Sequence, residues 1–320
     1  MGNLMVSLLG AAGQGVLWGI MALGVYITYR ILNTSDLTVD GSFALGGCTC
    51  ATLILAGVHP IIATLIAVCA GILAGAVTGI LHTVFEIPAI LAGILTQIAL
   101  WSINLRIQSG RSNVPLLNTE TIISKFVGRS GKTVIKTASP LIQSLGLTQS
   151  QASLIVGIII VLLLVAAMYW FFGTEYGSAI RATGNNESMV RALGINTSKI
   201  KLFGFMLGNG LVAFSGALVA QMQKYADIGM GTGAIVIGLA AIIIGEVILK
   251  VKNFGFKLLA VAVGAVIYFM IRAIVLYLGL NANDMKLLSA VIVALALAIP
   301  TITQKLALKN AYTEGDEEDA

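Results

Sequence analysis

Apolar stretches of about 20 residues recur along this chain, and that recurrence limits its fold more than any other feature. In hydrocarbon each stretch must satisfy its own backbone polar groups, so it forms a helix unless the chain closes into a barrel. The short alternating segments that a barrel needs are absent. Of the 320 residues, 58% are hydrophobic and 10% charged, where a soluble domain holds about 25% charged residues. Spans are expected at 13–32, 41–58, 60–81, 87–107, 152–172, 202–221, 232–249, 256–278 and 285–303. The expected class is an all-α polytopic membrane protein of about nine transmembrane helices. Residues 1–305 would form the membrane domain, and 306–320, ending EGDEEDA, an acidic solvated tail.

The 36 glycines suit close helix approach in a bilayer. Gly71, Gly75 and Gly79 repeat on one helical face, and Gly15 and Gly19 form a second pair. Packing within one subunit is the simpler reading of both, with a seam between two copies as the alternative. Cys48, Cys50 and Cys69 fall in apolar spans and read as small hydrophobes. His59 and His82 are isolated, so no metal set is expected. The net charge of +5 is spread over short loops and makes no nucleic-acid stripe. The N-terminus lacks a basic leader, so the first span is expected to be retained.

Between two of the spans lies a polar insert, residues 173–201, reading GTEYGSAIRATGNNESMVRALGINTSKIK. Its Arg181, Arg191, Lys199 and Lys201 place it in the cytoplasm by the positive-inside rule. Ala179, Ile180 and Ala182 before Gly184, and Met189, Val190 and Leu193 before Gly194, predict two short amphipathic helices, each closed by a left-handed glycine cap. The N-terminus then lies outside. The loop 108–151 is external despite Arg111, Lys125, Arg129, Lys132 and Lys136, because long loops obey the charge rule less well.

Several motifs carry chemistry or its absence. FVGRSGKT at 126–133 ends like a phosphate-binding loop but has Phe126 where the first glycine belongs, so the chain is expected to have no ATPase of its own. Asp36, Asp40, Gly41 and Ser42 form either a turn with a helix cap or a broken segment lining a pathway. Residues 227–238, with Gly231, Gly233 and Gly238, echo 36–47 without gaps, as an inverted repeat would. Glu86 and Pro88 open the fourth span. Gln97 and Asn104 are expected on one face, with Trp101 near the same side, bonding a neighbouring helix or facing solute. Glu246 and Arg272 are the plainest intramembrane charges, and a pair between them is left open. So few titratable groups at depth disfavour a proton-coupled carrier, and no HExxH or GxSxG motif points to an intramembrane enzyme.

The insert, from Gly177, Arg181, Ala182, Gly184, Asn186 and Glu187 through Arg191, Gly194, Ile195 and Asn196 to Lys199 and Lys201, resembles the cytoplasmic loop of one family. That family is the membrane subunit of ABC importers of the branched-chain amino acid and ribose type. The span from Asn209 and the segments 36–47 and 231–238 look like its further elements. The resemblance implies coupling helices between spans five and six that dock on a separate ATPase, with Glu175, Gly177, Arg181, Ala182, Gly184, Asn186, Arg191, Gly194 and Asn196 shaping them. It implies a second permease copy, an extracytoplasmic solute-binding protein that meets loop 108–151, and a bacterial plasma membrane location. It implies no cofactor on this chain, ATP and magnesium belonging to the ATPase. A pathway would involve Asp36, Asp40, Gly41, Ser42, Glu86, Pro88, Gln97, Asn104, Asn209, Gly231, Gly233, Gly238 and Glu246. The segment ending Gly245-Glu246 looks more like the amino-acid branch, tryptophan and tyrosine included, than the sugar branch. The rival expectation is an ion-gradient-driven carrier of a small solute.

Overall fold

The computed structural model describes residues 2–117, 119–124, 129–130, 133–134, 149–251 and 253–279, with isolated residues between 284 and 298. The expected ninth span at 285–303, the acidic tail and much of loop 108–151 lie outside the described residues. The long helices are α1 (Gly2–Tyr26, continued by a π-helical turn Ile27–Ile31), α2 (Thr38–Leu55), α3 (Pro60–Thr83), α4 (Ala89–Ile107) and α5 (Gln149–Phe172). The insert holds α6 (Glu175–Asn185) and α7 (Glu187–Ala192), and α8 (Thr197–Gln223), α9 (Ala234–Leu249) and α10 (Phe254–Tyr277) follow. Eight helical segments among the described residues are long and apolar enough to cross a membrane. α8 begins at Thr197, five positions before the apolar run that located it in the sequence, because Asn196 accepts the Lys199 N–H at 3.1 Å and caps the helix through its basic first turn.

Small residues set how closely the helices meet. A Cβ on Gly71 would lie 2.6 Å from the Asn209 carbonyl oxygen, one on Gly75 would run into that of Phe205, and one on Gly79 would come 2.6 Å from Leu202. The α3 glycine stripe is therefore the seat of α8. Gly15 and Gly19 likewise face Val266 and Ala262 on α10. Both glycine sets pack inside one subunit, as the simpler reading had it. Polar groups add cross-links. Thr38 Oγ1 lies 2.7 Å from Thr78 Oγ1, which lies 2.9 Å from Thr96 Oγ1, joining α2, α3 and α4. Ser215 on α8 donates to the Leu17 carbonyl at 2.7 Å. Such bonds average only about 0.6 kcal/mol in membrane proteins, so close backbone packing carries more of the stability than any one of them. Cys48 and Cys50 are buried thiols and Cys69 an exposed one, with no disulfide among them.

The two ends of the bundle differ. At one end β1 (Asn113–Pro115) pairs antiparallel with β4 (Tyr225–Asp227). There Gln221 Oε1 accepts the Ile122 N–H at 2.9 Å, and Lys224 Nζ donates to the Thr119 carbonyl at 3.2 Å. The chain after α4 is thus stapled to the turn after α8. β2 (Arg129–Ser130) pairs antiparallel with β3 (Thr133–Val134). The polar elbow of α6 and α7 stands at the other end, between the close of α5 and the start of α8.

Candidate functional site

The elbow is built by capping. Thr174 accepts the Gly177 N–H at 3.4 Å and starts α6, with Glu175 in its first turn. α6 runs through Gly184 to Asn185 and ends because Asn186 turns extended, at φ −154°. Asn186 Oδ1 then accepts the Met189 N–H at 3.1 Å and caps α7. Gly194, at φ +82°, reverses the chain toward Asn196. The expectation of two glycine stops therefore holds at Gly194 and fails at Gly184. Gly184 is a contact glycine: a Cβ there would collide with the Ile31 carbonyl at the end of α1. Gly177 has the same role against Phe171 and Phe172. A stop glycine and a contact glycine look alike in sequence; only the partner backbone tells them apart.

Glu187 is the hub of the elbow; in the sequence it stood only as part of the insert's pattern, with no contact assigned to it. It accepts from Arg191 at 3.0 Å, Thr197 Oγ1 at 3.1 Å and Lys201 Nζ at 2.5 Å. The hydrogen bond from Lys201, aided by the charges of Lys201 and Arg191, holds its carboxyl below the usual glutamate range. The four-residue spacing to Arg191 was the available signal. Because its folded pKa is lowered, its contribution is present above the ordinary glutamate range and is lost as pH falls through the lower folded value. Glu187→Gln is expected to loosen α7 by about 1 kcal/mol or less, since the group is partly exposed. Faster hydrogen exchange across 187–193 at neutral pH would show it, and exchange equal to wild type would contradict it.

The elbow is braced behind and bare in front. Ile180 and Val190 are fully buried. The Arg181 guanidinium lies over the Phe254 ring, 5.3 Å from its centre, tying α6 to the α9–α10 turn. Tyr176, Met189 and Leu193 are 69%, 49% and 71% exposed. Ala182 is half-buried, and Arg191 and Asn196 lie on the exposed side. The result is an elbow with a buried apolar base that exposes apolar and basic side chains.

Deeper in the bundle, two helices start away from its ends. After the π turn the chain runs non-helically over 32–37 and restarts at Thr38. Asp36 Oδ1 accepts the Thr38 N–H at 2.9 Å and Oδ2 accepts Asn209 Nδ2 at 2.7 Å, near the middle of α8. Asn209 also donates to the Phe205 carbonyl at 3.0 Å and accepts from Ser42 Oγ at 2.7 Å. Asp36, Ser42 and Asn209 are buried and paired, and they lock the restart of α2 onto α8. From the other end, Asp227 Oδ1 accepts the Gly229 N–H at 2.7 Å, a 3-10 turn covers Ile228–Gly231, and α9 starts after Gly233. Asp36 and Asp227 thus each accept the N–H two residues on, so the sequence echo between them has a structural counterpart. The two breaks meet. Asp40 accepts the N–H groups of Gly233 at 2.8 Å and Ile235 at 3.0 Å, capping α9 from the first turn of α2. Gly233 is left-handed, at φ +83°, and Gly231 packs on the Asp40 carbonyl. Gly238 sits against Met21 and Val25 of α1.

The remaining residues are distributed as follows. Gly41 packs on Leu100 and the Gln97 backbone, and Asn104 Nδ2 reaches the Gly41 carbonyl at 3.5 Å. Trp101, expected near the face of Gln97 and Asn104, is 53% exposed, because the α2-facing stripe is Gln97, Leu100 and Asn104. Asn104 Oδ1 is buried with no partner among the described residues. Glu86 is exposed in the α3–α4 turn at φ +56°, and Pro88 caps α4 from just outside it, where its fixed φ and missing N–H fit the start. Glu246 pairs with Arg30 at 2.9 Å, not with Arg272. α9 and α10 run antiparallel, so Glu246 lies at the elbow end, while Arg272 lies little more than a turn from the far end of α10.

The chain is similar to known proteins over most of its length. Residues 7–299 match the family described as branched-chain amino acid transport system, permease component. A tyrosine transport system permease protein of Clostridioides difficile (strain R20291) is 36% identical over 93% of this chain and 92% of its own length. An uncharacterized protein of Rickettsia prowazekii (strain Madrid E) is 31% identical over 91% of this chain and 96% of its own. The ribose import permease protein of Escherichia coli (strain K12) is 25% identical over 88% and 81%.

Proposed function

The chain belongs to the family of branched-chain amino acid transport system permease components, and from that membership we propose that it is the membrane-spanning subunit of an ATP-driven ABC importer. The observation that carries the proposal is the elbow, whose tip of Tyr176, Met189 and Leu193 is bare while its base is fixed by Gly184, Ile180 and Arg181. A rigid apolar knob on the basic side of a membrane protein suits a groove in a soluble partner. That partner is a cytoplasmic ATPase, which holds the ATP and magnesium. The permease carries no catalytic group of its own. It works with a second copy in the bacterial plasma membrane and receives solute from an extracytoplasmic binding protein. The solute is small and polar, an amino acid by preference, given the tyrosine system to which the chain is similar.

In mechanism, ATP-driven closure of two ATPases would pull the elbows together. Because Gly184 rests on the end of α1, and Arg181 on the α9–α10 turn, the pull reaches both broken segments. Their junction at Asp40 and Gly233 is the natural place for the rocking motion that alternates access. Proteoliposomes holding the permease, the ATPase and the binding protein are expected to accumulate solute only with ATP inside the ATPase-facing compartment. Uptake driven by an ion gradient without ATP would instead establish a secondary carrier.

A further inference from the structure

Arg272 is an intramembrane arginine that none of the roles above uses. Little more than a turn from the far end of α10, such a residue either extends its head group to the interface, pairs, or lines a polar cavity. Among the described residues it has no carboxylate partner; its guanidinium lies 5.7 Å from the centre of the Phe269 ring. It lines a cavity of about 230 Å³ at the end of the bundle opposite the elbow. The cavity lies within one protomer, among α1, α2, α8, α9 and α10, beside the place where the two broken segments meet. Gln14, Gln223 and Thr232 supply uncharged hydrogen-bonding groups, and Trp18 and Tyr225 supply aromatic wall. Trp18 is held by Phe43 and Phe269, at ring distances of 4.6 and 5.4 Å. A guanidinium with no carboxylate partner among the described residues, two amides and an aromatic wall make a site of the usual ligand-binding composition, and its volume, below the ~300–1,000 Å³ of drug-sized pockets, suits only a small molecule.

We infer that this cavity binds a small amphipathic carboxylate, with its carboxylate on Arg272 and its apolar or aromatic part against Trp18. A planar guanidinium offers two parallel donors to a carboxylate, and its present contact with Phe269 leaves that fork available. The cavity lies at the end of the bundle at which the solute would be delivered. Only the statement that the bound molecule is in transit rests on the importer reading; the binding does not.

The chain has three tryptophans, so Trp101→Phe and Trp170→Phe leave Trp18 as the reporter. In purified full-length protein, L-tyrosine and L-leucine are expected to change Trp18 fluorescence saturably, while tyramine, which lacks the carboxylate, gives no saturable change. Arg272→Gln is expected to weaken L-tyrosine binding roughly tenfold to a hundredfold, the loss of one charge-assisted pair. Arg272→Lys keeps the charge and is expected to lose less. Unfolding temperature serves as the folding control for both. Unchanged affinity in either a folded Arg272→Gln protein or with tyramine in place of tyrosine would overturn the proposal, as would the absence of any saturable signal. Uptake separates the two readings. ATP-driven uptake with unchanged half-saturation in Arg272→Gln removes this site from the route and leaves the importer standing. Uptake without ATP removes the importer and leaves the binding site.

Discussion

Asn209→Leu is expected to destabilise the protein by roughly 2–4 kcal/mol, because it leaves two buried side chains, Asp36 and Ser42, without their partner. Asn209 supplies the donor that holds Asp36 Oδ2 at 2.7 Å in a fully buried setting. Removing one partner of a buried hydrogen bond leaves the other unsatisfied, and that asymmetry makes the loss larger than the net worth of the bond. Ser42 Oγ would lose its acceptor in the same step. Taking away both members should be far milder, because two apolar groups in contact need no compensation. Asp36→Leu combined with Asn209→Leu is therefore expected to recover a good part of the stability lost in the single variant. Thermal unfolding in detergent reads both. A single variant within about 1 kcal/mol of wild type, or a double variant worse than the sum of the singles, would show that the lock does not hold α2 on α8.

Gly184→Val should abolish coupling without expelling the protein from the membrane. The added side chain meets the Ile31 carbonyl, which is backbone and has no rotamer to yield. Overpacking of that kind costs about 1–3 kcal/mol, and α6 can relieve it only by swinging away from the end of α1. The knob would remain folded, because its caps at Thr174, Asn186 and Asn196 are local. ATP-driven uptake is expected to fall at least tenfold, about 1.4 kcal/mol in coupling terms, while the spans insert as before. Wild-type uptake with a well-inserted Gly184→Val protein would refute the seating of the elbow.

The sequence made some of this legible and hid the rest for identifiable reasons. Eight spans followed from apolar length, since hydrocarbon leaves helices as the open-chain solution. Their starts were less legible. α8 extends into a polar stretch because a cap at Asn196 outweighs the lysines, and α2 begins at Thr38 because Asp36 fixes its first turn. The Asp36 and Asp227 echo was visible in sequence, and the shared turn geometry gives its cause. Three things were not visible. Gly184 carried the sign of a helix stop, and its contact with Ile31 depends on a chain far away in sequence. Glu246 was an intramembrane acid whose one named candidate partner was Arg272, and the fold set it beside Arg30 instead. Glu187 reaches Lys201 only because Gly194 turns the chain back on itself.

The central claim is that the elbow is a cytoplasmic handle for a separate motor. Cysteine-scanning accessibility tests it most directly, in a background where Cys48, Cys50 and Cys69 are replaced. Ser188, exposed at the tip beside Met189, is changed to cysteine and treated with a membrane-impermeant maleimide. The expected result is labelling in inside-out vesicles, none in intact cells, and protection when the purified ATPase is added to the vesicles. Labelling of Ser188→Cys in intact cells would put the handle on the wrong side of the membrane and contradict the account.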